Sequence, residues 1–208
     1  MLAPPRLLEP LLLPPPLLAA LRFTPEQFAE LCAANPEAVL ELAADGSLIP
    51  MTPTGSETGA SNSALNAMLW LAVRRSGLPL KLFDSSTGFR LPDHSVFSPD
   101  AALVAIERWQ KLTADERRGF APLCPDLVVE LASPGDEGPR GLTALRRKML
   151  AYQRNGARLG WLLIPAQRAV EVWGTQGSEA IRMEGVEWLD GGPVFPGLLI
   201  ELADVWAG

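Results

Sequence analysis

Apolar and polar positions repeat with two periods along this chain, and the switches between them outline its elements. Helical spacing is plain in Leu65, Met68, Leu69, Ala72 and Val73, within a helix opened by Thr54-Gly55-Ser56-Glu57 and closed near Ser76-Gly77. Thr54 and Glu57 fit the two ends of a capping box. Leu142, Leu145, Met149 and Tyr152 form the apolar face of a second helix over 142–155, which Gly156 stops. Thr24-Pro25-Glu26-Gln27 caps a third helix reaching about Ala34, and Thr113 with Glu116 caps a short fourth.

Strand-like runs occupy the remaining apolar stretches. Ala38–Leu42 and Ser47–Met51 flank Asp45-Gly46 as a hairpin. Further strands are predicted at 80–83, 88–91, 101–106, 126–131, 159–164 and 169–173, with short ones at 179–183, 187–189 and 198–201 finishing the sheet. Between the strand ending at Leu131 and the helix from Leu142 lies Ser133-Pro134-Gly135-Asp136-Glu137-Gly138-Pro139-Arg140-Gly141, a segment expected to be exposed and mobile. The order of elements predicts a mixed α/β (α+β) domain, a central mixed sheet flanked by helices. Residues 23–208 form the expected domain. Residues 1–22 form a Leu/Pro-rich arm whose prolines exclude a continuous helix and which lacks the basic region and cleavage site of a signal peptide.

Composition narrows the chemistry. One histidine and two distant cysteines, Cys32 and Cys124, argue against a zinc site or a disulfide framework and for a cytoplasmic compartment. Unbroken apolar runs are too short for a membrane span. A net charge of −6 argues against a broad nucleic-acid surface. Arg140, Arg146, Arg147, Lys148, Arg154 and Arg158 form a local basic cluster, suited to phosphate contact or to a solvated helix face.

Against that background two carboxylates stand out. Asp100 opens the apolar run Ala101-Ala102-Leu103-Val104, and Glu130 ends Asp126-Leu127-Val128-Val129-Glu130. A charge in such a run is costly unless it is paired or holds a metal. Oxygen ligands suit a hard cation such as Mg2+ or Mn2+. Asp126 lies roughly 13 Å along the strand from Glu130 and cannot share its ion. Asp100, on the preceding strand, can approach within about 5 Å. Alternative roles are a turn residue for Asp100 and an arginine salt bridge for Glu130. Lys148 falls at the border of its helix's apolar face, from which it either reaches the carboxylates or snorkels to solvent. Glu57 either caps its helix or points at the metal. His94, alone in a turn, reads as a turn residue.

These residues sit in segments that resemble the Uma family of restriction-endonuclease-like proteins, first described as a domain of unknown function. The resemblance covers roughly residues 24–206. It includes Asp45-Gly46-Ser47-Leu48-Ile49, Thr54-Gly55-Ser56-Glu57, Ser98-Pro99-Asp100, Leu127-Val128-Val129-Glu130-Leu131-Ala132-Ser133-Pro134 and Lys148-Met149 with Tyr152. It implies the PD-(D/E)XK nuclease superfamily and Mg2+-dependent cleavage of DNA. It also implies Asp100, Glu130 and the Leu131 carbonyl as metal ligands, with Glu57 as an extra acidic residue. The motif's lysine is expected at position 132, where this chain has Ala132; Lys148 is the substitute. A non-catalytic interaction module on the same fold is the second expectation, favoured by Ala132. A sugar hydrolase using a carboxylate pair ranks third. The apolar arm and six Trp point to a homodimer.

Overall fold

The computed structural model describes residues 20–51, 53–136, 138–175 and 179–207. The expected arm therefore lies mostly outside the described residues. A six-stranded mixed sheet forms the centre, built from β3 (Leu80–Asp84), β6 (Ala101–Ala105), β7 (Leu127–Leu131), β8 (Leu159–Ile164), β9 (Ala169–Trp173) and β10 (Ile181–Glu184). Its spatial order is β10-β9-β8-β7-β6-β3, and only β7 and β8 run parallel. That pair needs a crossover, which α5 (Pro139–Arg154) supplies.

Strand alternation sorts the core onto two faces. Ala101, Leu103, Leu127, Val129 and Trp161 pack against α2 (Ser56–Ser76) and the C-terminal helix α6 (Ala203–Ala207). Ala102, Val104, Val128 and Leu162 face the other way, where α5 contributes Leu142, Met149 and Tyr152. The apolar face expected for α5 is thus the one it buries.

A smaller four-stranded sheet, ordered β2-β1-β5-β4, stands beside the main one. It comprises β1 (Leu40–Leu42), β2 (Leu48–Pro50), β4 (Phe89–Arg90) and β5 (Val96–Phe97). β1 and β2 form the predicted hairpin around Gly46, whose φ of 80° suits glycine. Helix α1 (Pro25–Ala34), opened by the Thr24–Gln27 capping box, seats Phe28 against Leu42 and Val96.

Several expectations need correction. α2 starts from Gly55 with no side-chain cap, so the Thr54–Glu57 capping box does not form. Residues 139–141 are not loop: Pro139 opens α5, and Pro134–Asp136 coil into a 3-10 turn. Gly141 permits this close packing, since a Cβ there would collide with the Asp136 backbone. β11 (Trp188–Asp190) and β12 (Leu199–Glu201) pair with each other as a separate two-stranded sheet instead of extending the main one. β5 and the helix α3 (Ile106–Gln110) lack the length or periodicity that sequence patterns reveal. The Thr113 box does cap α4 (Ala114–Arg118) as expected.

Candidate active site

Asp100 and Glu130 come together where β6 and β7 begin to diverge. The antiparallel register sets Ala101 against Val129, which brings Asp100 up to the Glu130–Leu131 end of β7. Asp100 Oδ2 accepts the Leu131 N–H at 2.7 Å. By strand alternation both carboxylates belong to the α5 face. Asp126, at the far end of β7, is a structural residue. It pairs with Arg108 at 2.9 Å and accepts the Ala105 N–H at 2.8 Å.

Lys148 reaches this face from the third turn of α5. Its Nζ lies 2.9 Å from Glu130 Oε1, so the ammonium pairs with that carboxylate and does not snorkel to solvent. It also lies 2.7 Å from Glu41 Oε1 and donates to the Ser98 carbonyl at 3.1 Å. Three oxygens use the three donors of an ammonium. Tyr152, one turn further on α5, donates its hydroxyl to Glu130 Oε1 at 3.0 Å.

Glu41 is the residue that sequence reasoning missed. Its Oε1 accepts the Ser98 N–H at 2.7 Å as well as the Lys148 ammonium. Ser98 is thereby fastened through both its N–H and its carbonyl, which sets the Ser98-Pro99-Asp100 entry to β6. Glu41 and Glu130 are each only 3% exposed, a degree of burial acidic residues rarely reach without partners. The available signal was weak: in Leu40-Glu41-Leu42 the leucines take one face of a strand and leave Glu41 on the other.

The Asp100 backbone is held from α2. Asn66 Nδ2 donates to the Asp100 carbonyl at 3.2 Å and also to the Asn62 carbonyl at 3.0 Å. Glu57, two turns earlier on α2, is exposed; it lines one cavity with Leu131 and Pro134 and another with Pro134 and Asp136. His94 lies in a turn at the other end of the small sheet, with φ at 71°.

The electrostatics follow from two carboxylates paired with one ammonium and a third, Asp100, close by. Burial pushes the Glu130 carboxyl up to about 8, with the Lys148 ammonium opposing and the Asp100 and Glu41 charges adding to the rise. Burial also raises Asp100, against the Leu131 N–H and Lys148. Burial alone would lower Lys148, but Glu130 and Glu41 overcome it and hold the lysine above its ordinary value. The group therefore carries more acid than its own cation balances.

A hard divalent cation fits this donor set in kind. Glu130 Oε1 is spent on Lys148 and Tyr152, and Asp100 Oδ2 on Leu131, so each carboxylate keeps a second oxygen for a ligand bond. Among the described residues no three His, Cys, Asp or Glu side chains are grouped closely enough to hold a metal ion by themselves. Two carboxylates with a carbonyl and waters suit Mg2+, which needs no all-protein cage.

Beside the cluster opens a cavity of ≈ 490 Å³. Glu41, Glu130 and Lys148 lie along it; Ile49 and Met51 of the hairpin segment, Phe97, and Leu145 of α5 supply its apolar lining. A neighbouring cavity of ≈ 650 Å³ shares Met51 and Asp136 with it and continues toward Glu57.

Comparison with known proteins agrees with this architecture. A crystal structure from Anabaena variabilis, described as a "putative nuclease" belonging to DUF820, superposes with a TM-score of 0.70 at 20% identity. The match covers 89% of this chain and 98% of that one, and it shows a shared fold. No curated protein matches the sequence. The family model Uma2, described as "Putative restriction endonuclease", matches residues 25–203. With that match spanning the small sheet, the main sheet and α5, the chain belongs to the Uma2 family of restriction-endonuclease-like proteins.

Proposed function

We propose that this protein is a metal-dependent endonuclease that hydrolyses phosphodiester bonds in DNA, with Mg2+ or Mn2+ held by Asp100, Glu130 and the Leu131 carbonyl. The observation that carries the reading is the convergence of Glu41 and Glu130 on a single buried ammonium, with Asp100 held beside Glu130 by the Leu131 N–H, which sets more carboxylates than cations in one buried place. A divalent cation there would stabilise charge on a phosphoryl oxygen and lower the pKa of a bound water.

The chain's own groups divide the remaining work. Lys148 stays cationic through the neutral range, because its neighbours hold it above its ordinary value. With its three donors already placed on Glu41, Glu130 and Ser98, it acts through its field on developing phosphoryl charge and not by handing over a proton. Tyr152 and Lys148 together fix Glu130 Oε1 and so set where the other oxygen points. Glu41 fastens Ser98 and thereby the approach of Asp100. Glu57, exposed on α2, shares a cavity with Leu131 and would reach the metal from that side, as a further acidic group beside the three ligands. Lys148 in this reading does the work of the lysine absent at position 132.

The test is cleavage of supercoiled plasmid in Mn2+. Wild-type protein nicks it, while Asp100→Ala and Glu130→Ala do not, with unchanged circular dichroism. Protein that binds no Mn2+ in calorimetry and cuts nothing would instead be a non-catalytic module on a nuclease fold. A homodimer in the cytoplasm belongs to the same proposal, and a monomeric mass in solution would refute the first part. No helix among the described residues is long and apolar enough to cross a membrane.

A further inference from the structure

Three observations about the approach to the carboxylates limit what can reach them. The first is depth. Glu130 is 3% exposed and the Lys148 side chain 11%, so a phosphate must enter the cavity to come within the roughly 2–2.6 Å span of a metal-ligand bond. The second is width. The β1–β2 hairpin segment lines the cavity through Glu41, Ala43, Ser47 and Ile49, and α5 lines it through Leu145 and Lys148. Its ≈ 490 Å³ falls in the range of roughly 300–1,000 Å³ that suits one small ligand. That is room for a nucleotide, whereas the body of a duplex, whose major groove alone is about 12 Å wide, stays outside.

The third is charge. Duplex binders commonly neutralise about 6–10 phosphates with Lys and Arg. Among the described residues the only cations lining this cavity are Arg147 and Lys148, and Lys148 is already committed to two glutamates. Asp136 stands at the same cavity, and the whole chain carries −6. An apolar wall of Ile49, Met51, Phe97 and Leu145 instead suits the faces of unstacked bases.

We infer that the site, granted the nuclease reading on which this rests, takes single-stranded nucleic acid or an unpaired strand end and excludes the interior of a duplex. A strand entering the cavity brings one phosphate to Asp100 and Glu130 and lays a base against the apolar wall. Arg147, exposed at the cavity on α5, meets an adjacent phosphate.

The experiment has a binding arm and a cleavage arm. Binding uses Glu130→Gln and fluorescein-labelled oligonucleotides of roughly twelve nucleotides, a length within the usual single-strand site size. These are single-stranded DNA, single-stranded RNA and the matching blunt DNA duplex. A single strand is expected to bind at least about tenfold more tightly than duplex, the worth of one stacked base. The slope of log K against log salt is expected near −0.7 to −2, for one to three phosphates, and Arg147→Ala makes it shallower by about 0.7. Equal or tighter duplex binding, or a slope steeper than about −5, overturns the inference. In the cleavage arm, wild-type protein with Mn2+ cuts the single strand and an unpaired tail and spares the interior of relaxed linear duplex, so that plasmid is nicked while negative supercoiling unpairs it and is spared once linearised. Equal rates on single strand and duplex overturn the single-strand inference and leave the nuclease reading standing. No cleavage of any substrate, with single-strand preference kept in the binding arm, removes the nuclease reading and upholds the single-strand site.

Discussion

Glu41 and Glu130 share one ammonium although they belong to different sheets: their Oε1 atoms lie 2.7 and 2.9 Å from Lys148 Nζ. Lys148 is therefore one link, beside the Phe97–Tyr152 ring contact, through which α5 ties the small sheet to the main one. Removing any one of the three leaves a buried charge short of a partner, and that asymmetry sets the expected size of each effect.

Glu41→Ala strands the Ser98 N–H and takes one carboxylate from Lys148. Urea denaturation should show a loss of about 2–3 kcal/mol, in the range for an unsatisfied buried donor near a broken ion pair. Glu41→Gln keeps an acceptor for Ser98 and should lose roughly half as much. Equal losses from the two variants would mean that Ser98 does not need Glu41.

Lys148→Met leaves Glu41, Asp100 and Glu130 without their cation, at an expected cost of about 3–5 kcal/mol. A divalent ion can then replace the missing charge, so stability becomes linked to its concentration. Differential scanning fluorimetry should show a larger rise in Tm on adding Mg2+ to this variant than to wild type. Equal rises would separate Lys148 from the metal-binding carboxylates.

Asn66→Ala removes the amide that holds the Asp100 carbonyl. Because Asn66 touches no ligand oxygen, its effect should fall on metal affinity: a loss of about tenfold in Mn2+ binding by calorimetry, as for other residues that support metal ligands. Asn66→Asp keeps the shape but offers no amide donor, and should not rescue. Unchanged affinity in both variants would assign Asn66 to helix packing alone.

Asp93 supplies an acid-sensitive strut at the C-terminal end of α5, through Asn155. Burial raises its carboxyl, but Ser95 and Asn155 outweigh that and hold it below the usual value. A depressed carboxylate contributes stability above its unfolded value of about 3.9 and loses that contribution as pH falls through the folded value. Asp93→Asn should therefore be less stable than wild type at pH 7, with the gap closing below about pH 4. A gap that persists to pH 2.5 would show that the charge is not what Asp93 contributes.

Much of the site was legible before folding. Asp100 and Glu130 were conspicuous as charges in apolar runs, and the rise per residue in a strand ruled out Asp126. Lys148 was placed by the helical period at the edge of an apolar face. Glu57 illustrates the opposite case. Its spacing from Thr54 fits a capping box, yet Gly55 is the cap and the Glu57 side chain is exposed, lining a cavity with Leu131. Local spacing says which face of α2 a residue occupies, but not where α2 crosses the sheet.

The boundary between the two kinds of knowledge falls at Glu41. Alternation in Leu40-Glu41-Leu42 determined, from sequence alone, that the glutamate and the leucines take opposite faces. Period-two patterning is local and survives any packing. Whether that second face meets water or protein was decided by the parallel pairing of β7 and β8, which requires α5 to cross over and bring Lys148 back against the hairpin. Only that long-range crossover gives the costly charge of Glu130, with Asp100 beside it, an ammonium that it shares with Glu41.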